Sequence, residues 1–372
     1  MSLLQIGGKP GRTENTILGL IGFVLLIAVW WLLAEALAVK RPIVEGYTTR
    51  LPSTVVPDAD EESINVDSLL REDSIRLANA TEFQKVYPLL PLPGQVLQSY
   101  VPLYKEDKLL RETFYSIWLN VQGYFWAVLL CIPIGLLIGL VPLFKGLFDR
   151  QVNALRYLPL TALTGLFIIW FGIEDQMKIA FLAFGIIVYL LPVVVQRVEE
   201  VEDVYLKTVF TLGATDWQTI RTVYFPSVMA KLMDDIRVLT AISWTYIIIA
   251  ELLNRQGGIG SLIYVKARQG QIEKVFAILI VIILIGFIQD RIFVYADRRL
   301  FPHKHYKTIF NGLKETEYGI LTILGIALLV ILQNALFPTA SEWVSQIAVI
   351  GVLASVLIII YGEFKFQRAY VE

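Results

Sequence analysis

The chain has 372 residues, 56% of them hydrophobic, with a mean hydropathy of +0.62, which excludes an ordinary soluble domain. Its 32 Lys and Arg nearly balance 33 Asp and Glu, and no basic stripe is interleaved with aromatics, so nucleic acid is not an expected partner. A single cysteine, Cys131, rules out an intramolecular disulfide and a cysteine-built metal site, and its apolar neighbours read as those of a small buried hydrophobe.

The apolar residues fall in continuous blocks about as long as a membrane-crossing helix, not in the alternation of a membrane barrel. Eight spans are predicted: 17–39, 116–143, 157–173, 177–195, 238–253, 275–294, 320–337 and 344–361. The first has a cleavage-like Ala36-Leu37-Ala38, but its length and its Trp30 and Trp31 favour a retained helix over a signal peptide. Lys and Arg near the span ends set the orientation. With both termini cytoplasmic, the dense basic run Asp297-Arg298-Arg299…His303-Lys304-His305…Lys307 falls inside. Lys40 to Arg111 then lies outside. Its prolines argue against continuous helix, although 63–85 and 95–111 each have the spacing of a short amphipathic one. His303 and His305 are expected to be solvated, not metal ligands.

The most telling stretch follows the fourth span. A helix over 204–212 is expected to end at Gly213, which supplies the turn. Thr215-x-x-Gln218 has the form of a capping box, so a second helix should start there, and Pro226 should end it. That helix–turn–helix should present Trp217, Ile220, Val223 and Phe225 to a partner; the plainer reading is a helix lying on lipid headgroups. Polar residues within the spans are candidates for a path: Thr161 and Thr164 in the third, and Ser243, Trp244, Thr245 and Tyr246 in the fifth. Such hydroxyls otherwise bond to their own helix or pin neighbours. Gly135-x-x-x-Gly139 is expected to serve close packing within the chain. Glu35 and Glu251 lie near span ends, where both can reach the interface. No P-loop, H-E-x-x-H, C-x-x-C or G-x-S-x-G occurs, so no hydrolysis by this chain is expected.

The Lys207–Pro226 segment resembles the EAA signature of ABC-importer permeases. Gly213 and Pro226 match, Val223 and Phe225 are conservative, and Lys207, Thr208 and Val209 depart from Glu-Ala-Ala. The resemblance extends from about Pro91 to Leu300 and is to the nitrate/sulfonate/taurine/bicarbonate branch. It is carried by Pro91-Leu92-Pro93-Gly94-Gln95-Val96-Leu97, by Ala154-Leu155-Arg156…Pro159…Trp170-Phe171-Gly172-Ile173, and by Ala250-Glu251-Leu252-Leu253…Gly257-Gly258-Ile259-Gly260…Ile263. It implies an all-α, polytopic fold: a type I permease-like core of six spans plus two appended ones. It also implies a division into 1–39 (tail and first span), 40–112 (extracytoplasmic insertion), 113–300 (core, with the coupling loop at 199–228) and 301–372 (basic linker and two spans).

The function implied is the membrane permease of an ATP-driven importer for a small oxyanion, sulfonate or similar solute, working by alternating access in a bacterial inner membrane. Implied partners are an ABC ATPase subunit, a periplasmic or lipid-anchored solute-binding protein, and a second copy of the chain. ATP and Mg would bind in the ATPase, leaving this chain without a cofactor. ATPase coupling maps to Lys207, Gly213, Ala214, Thr215, Trp217, Gln218, Val223, Phe225 and Pro226. Glu251, Gly257, Gly258 and Gly260 map to an outer gate or receptor contact. A membrane scaffold without transport is the alternative; an ion-driven carrier ranks last, because the spans lack acids away from their ends.

Overall fold

The computed structural model describes residues 11–42, 83–253, 256–305, 312–336 and 342–371. The chain divides into two compact units: Met1–Asp107 with Val265–Leu279, and Lys108–Tyr264 with Ile280–Glu372. Among the described residues seven helices are long and apolar enough to cross a membrane, or eight if one bent pair counts as a single span.

In the first unit, helix α1 spans Arg12–Ala36. Strands β1 (Val39–Pro42) and β2 (Phe83–Val86) then pair antiparallel, with Val39 opposite Val86 and Pro42 opposite Phe83. The helix expected over 63–85 lies outside the described residues except at its end, where 83–85 is strand. Helix α2 (Pro93–Lys105) begins with proline at its first turn, where the missing N–H costs nothing. Trp30 Nε1 donates to the Pro91 carbonyl at 3.0 Å, Glu35 accepts from Lys85, and Tyr87 donates to Glu35 at 3.0 Å. Glu35 therefore has protein partners. Asp107 is wedged between Lys266 (2.6 Å) and Lys274 (2.9 Å), both nearly buried. Burial alone would raise the Asp107 carboxyl, but hydrogen bonds from Lys266 and Lys274 outweigh it and hold the group below its usual range.

The second unit is built on α3 (Leu109–Leu140), a single helix that passes through Pro133. The third predicted span is not one helix. Helix α4 (Pro142–Ala154) leads into two 3₁₀ turns, Leu155–Tyr157 and Leu160–Leu163, and then the eight-residue α5 (Thr164–Phe171), with a 92° bend across the break. Pro159 sits at that break with extended backbone, and Gly172 ends α5 at φ +76°, so the local residues stop the helix twice. Helix α6 (Asp175–Glu199) is the centre of the unit: 61% of its apolar window is buried, against 6% for α1.

Small residues let α6 approach its neighbours, as expected where lipid removes the hydrophobic drive between helices. A Cβ on Gly135 would overlap Val194, one on Gly139 would meet Val198, and one on Gly185 would meet Tyr246 at 2.8 Å. The Gly135/Gly139 pair thus serves packing within the chain. Phe181 joins the layers, edge-on to Phe167 (5.5 Å) and Tyr246 (6.3 Å). Cys131 is buried beside the Ile187 carbonyl.

Helices α7 (Asp203–Thr211) and α8 (Asp216–Thr219) follow, and a π turn (Ile220–Tyr224) carries α8 into α9 (Phe225–Leu253). Then come α10 (Ile259–Arg268), α11 (Ile272–Leu300), the short α12 (Pro302–His305), α13 (Leu313–Leu336) and α14 (Glu342–Val371). The last two pack on each other through Gly319 against Ile359 and Gly362 against Thr316.

Candidate functional site

Three groups of residues carry chemistry. The first is the elbow between α7 and α8. Gly213 has φ +73°, its N–H bonds the Phe210 carbonyl (3.0 Å), and the Ala214 N–H bonds that of Val209 (3.1 Å). That pair of bonds closes α7 with a left-handed glycine cap. Two residues on, the Thr215 hydroxyl accepts from the Gln218 N–H (3.3 Å) and Gln218 Oε1 from the Thr215 N–H (2.8 Å), closing the capping box that starts α8. Two caps two residues apart fix the corner.

Pro226 does not end this helix. The Phe225 N–H bonds back to the Ile220 carbonyl, a five-residue step, and the wider turn relieves the proline ring before α9 continues. The elbow exposes Leu212 (79%) and Trp217 (70%), with Phe210, Phe225 and Lys207 also exposed, whereas Val223 is buried and lies off this face, because the π turn rotates it inward. Beneath the corner, Arg197 bonds both oxygens of Asp235 (2.7 and 2.8 Å) and also Glu200 (2.6 Å). The Arg197 guanidinium holds the Glu200 carboxyl below its usual range.

The second group closes the opposite ends of α3, α6 and α9. Gly257 (φ +121°) and Gly258 (φ +97°) turn the chain so that the first N–H groups of α10 point at acceptors. The Gly258 N–H donates to Glu112 (2.6 Å), that of Ile259 to the Ser116 hydroxyl (2.8 Å), and that of Gly260 to Glu251 (2.8 Å). Ser116 in turn donates to Glu251 at 2.6 Å. Two carboxyl groups and a hydroxyl thus satisfy the orphan donors of a helix start. Lys178, fully buried, lies 3.0 Å from the Tyr115 hydroxyl and 3.2 Å from Asp175. Glu251 is fully buried, so it does not reach the interface as its place near a span end suggested.

The third group is a buried polar seam. Ser243 Oγ lies 3.0 Å from Asn120 Oδ1, Trp244 Nε1 donates to Gln289 (2.9 Å), and the Tyr124 hydroxyl donates to the Ile236 carbonyl (2.5 Å). Of the six path candidates, Ser243 and Trp244 are buried in these contacts, Thr161 and Thr245 are exposed, and Thr164 and Tyr246 are half-buried. Thr164 donates to the Thr161 carbonyl in the preceding 3₁₀ turn (2.9 Å). Residue reasoning missed Glu112, Ser116, Asn120 and Lys178. A signal existed: Glu112, Ser116 and Asn120 recur every four residues, one polar stripe down an apolar helix.

No cluster of three or more His, Cys, Asp or Glu suited to a metal occurs among the described residues. His305 is not simply solvated; its Nε2 lies 2.6 Å from Asp297.

Residues 131–302 match the family described as the inner membrane component of binding-protein-dependent transport systems. This chain carries that permease domain. The matched stretch takes in the C-terminal end of α3 from Cys131 onward, all of α4 to α11 and the whole elbow. The chain is 27% identical over 225 residues to the taurine transport system permease protein TauC of Escherichia coli, covering 59% of this chain and 82% of that protein. It is 27% identical to the putative aliphatic sulfonates transport permease protein SsuC of Bacillus subtilis (57% and 77% covered) and 26% identical to the nitrate import permease protein NrtB of Synechocystis (57% and 81%). A chain of the inward-facing MetNI methionine ABC transporter superposes with a TM-score of 0.47 at 18% identity, over 53% of this chain and 97% of that one. Over these residues the chain, with its several membrane-length apolar helices, is similar to the permeases of taurine, sulfonate and nitrate transport systems.

Proposed function

We propose that this permease imports a small sulfonate- or nitrate-like oxyanion across a bacterial inner membrane, as a homodimer with both termini cytoplasmic. The observation that carries the reading is the elbow, a doubly capped corner that exposes Trp217 and Leu212 inside a matched permease domain. An exposed aromatic on a rigid corner is a docking feature. ATP and Mg act in the partner ATPase, whose closure pushes Gly213–Gln218. Lys207, Thr208 and Val209 replace the Glu-Ala-Ala of the signature, so docking here relies on apolar burial and not on an acidic link.

A path between two copies is lined by residues a single copy leaves exposed. The exposed Thr161 and Thr245, with the half-buried Thr164 beside them, suit its walls, while Ser243, Trp244 and Tyr246 hold the helices that carry them. Glu251 with Gly257, Gly258 and Gly260 forms the outer latch, which holds α10 against α3 and α9 until solute is delivered.

Co-expression with a cognate ATPase and binding protein tests the reading. The native chain should retain the ATPase through purification, and Trp217→Glu should lose at least about nine-tenths of it, as expected of a central aromatic anchor. Hydrolysis should rise with taurine, an alkanesulfonate or nitrate. Full-rate solute movement in vesicles that lack the ATPase would overturn the assignment.

A further inference from the structure

Beyond the matched permease domain lie α13 and α14. Much of α14 faces outward, with Ile350, Leu353 and Leu357 each at least 60% exposed. Near one end, however, α14 is locked to α11. Arg299, itself buried, donates to both oxygens of Glu363 (2.6 and 2.7 Å), with its guanidinium 4.1 Å from the Phe366 ring centre, and Tyr295 adds a bond to Glu363 at 3.3 Å. The Arg299 Nε and Nη1 are buried without a hydrogen-bond partner among the described residues. The guanidinium therefore depends on Glu363 for its neutralisation, and breaking such a pair leaves an uncompensated buried charge.

Two residues before Arg299 stands Asp297, which lies 2.6 Å from His305 and 3.5 Å from Lys304 on α12. Lys304 in turn bonds Asp234 (2.6 Å) and the Ala230 carbonyl (3.3 Å) on α9. That part of α9 rises directly out of the elbow. A cavity of ≈ 670 Å³ lies where the start of α7 (Tyr205), the π turn (Thr222) and α12 (His303 and Lys304) meet. The π turn that carries the elbow into α9 thus borders open space beside α12, and ion pairs join α9 to α12, α12 to α11 and α11 to α14, the last two through Asp297 and Arg299 on the same helix.

We propose that α13 and α14 restrain the coupling elbow through Arg299 and Lys304, so that ATP-driven motion of the elbow works against the appended helix pair. This rests on reading the elbow as the ATPase contact. A pair held near one end by charged groups can tilt as a body about that end. In the resting complex the restraint lowers hydrolysis that is not driven by solute.

The test uses the full chain with its ATPase and binding protein in lipid nanodiscs, and reads ATP hydrolysis without solute. Glu363→Gln and Lys304→Met should each raise it about fivefold, equivalent to ~1 kcal/mol. The reciprocal exchange, Arg299→Glu with Glu363→Arg, should bring it back to within about twofold of the native rate, a difference below ~0.5 kcal/mol. Native rates in both single variants, in complexes that hold the normal share of ATPase, would overturn the proposal. If Glu363→Gln is not recovered folded, Lys304→Met decides alone, since that side chain is partly exposed. Retention of ATPase by Trp217→Glu would instead sink the elbow reading and leave these ion pairs unexplained by coupling.

Discussion

The Glu251 side chain is completely enclosed, yet both its oxygens are used, one by Ser116 and one by the Gly260 N–H. Glu251→Ala would strand a buried N–H, at a cost of about 1–3 kcal/mol, and a lower melting temperature of the detergent-solubilised chain checks this. Gly258→Ala should cost no less, since its φ of +97° is left-handed and its new methyl would overlap the Glu251 carboxyl. Asp107 offers a different readout. Its folded carboxyl titrates below the unfolded value of about 3.9, so its two lysine contacts stabilise the fold above that pH. Their contribution is lost as pH falls through the folded value. Melting temperature should drop below about pH 4 in the native chain, and Asp107→Asn should lower it at neutral pH and flatten that acid limb. Such pairings were not legible in the sequence, because Asp107 and Lys274 are far apart along it; the polar stripe Glu112–Ser116–Asn120 was legible and went unread.

The elements show where local signals suffice. The elbow could be read residue by residue because a glycine cap and a Thr-x-x-Gln box each act within a few positions. Gly213→Val should therefore be costly, by about 1–2 kcal/mol for a β-branched residue in the left-handed region, and should reduce ATPase retention without lowering membrane insertion. Pro226 was misread for the opposite reason: a five-residue hydrogen-bond step absorbs the ring, and nothing in the residues around it announces that step. The third span failed as a single helix because its bounds, 157–173, follow apolar length, whereas the chain is stopped within them at Pro159 and Gly172. Helix contacts were readable where glycine marks them. Gly135→Leu should drive α3 off α6 at about 1–3 kcal/mol, the usual cost of overpacking, seen as a lower melting temperature with solute-free hydrolysis per surviving complex unchanged.

Across the whole molecule, the number and apolar character of the spans were legible in the sequence, and the permease resemblance, from about Pro91 to Leu300, takes in nearly all of the family match at 131–302 while also reaching some forty residues before it. The appended helices were legible as spans but not as a pair, because their seam is built from Gly319, Gly351 and Gly362, which composition does not distinguish from any membrane glycine. Gly362→Leu should loosen that pair, raising amide exchange in α13 and α14 while α6 keeps its protection. The two-stranded ribbon after α1 has its own consequence. Pairing of Pro42 with Phe83 brings the exit and the return of a forty-residue excursion about 5 Å apart in backbone terms. A fluorescent reporter spliced in beyond the ribbon should therefore leave the rest of the described chain undisturbed, provided the hem formed by Val39–Pro42 and Phe83–Val86 is left intact.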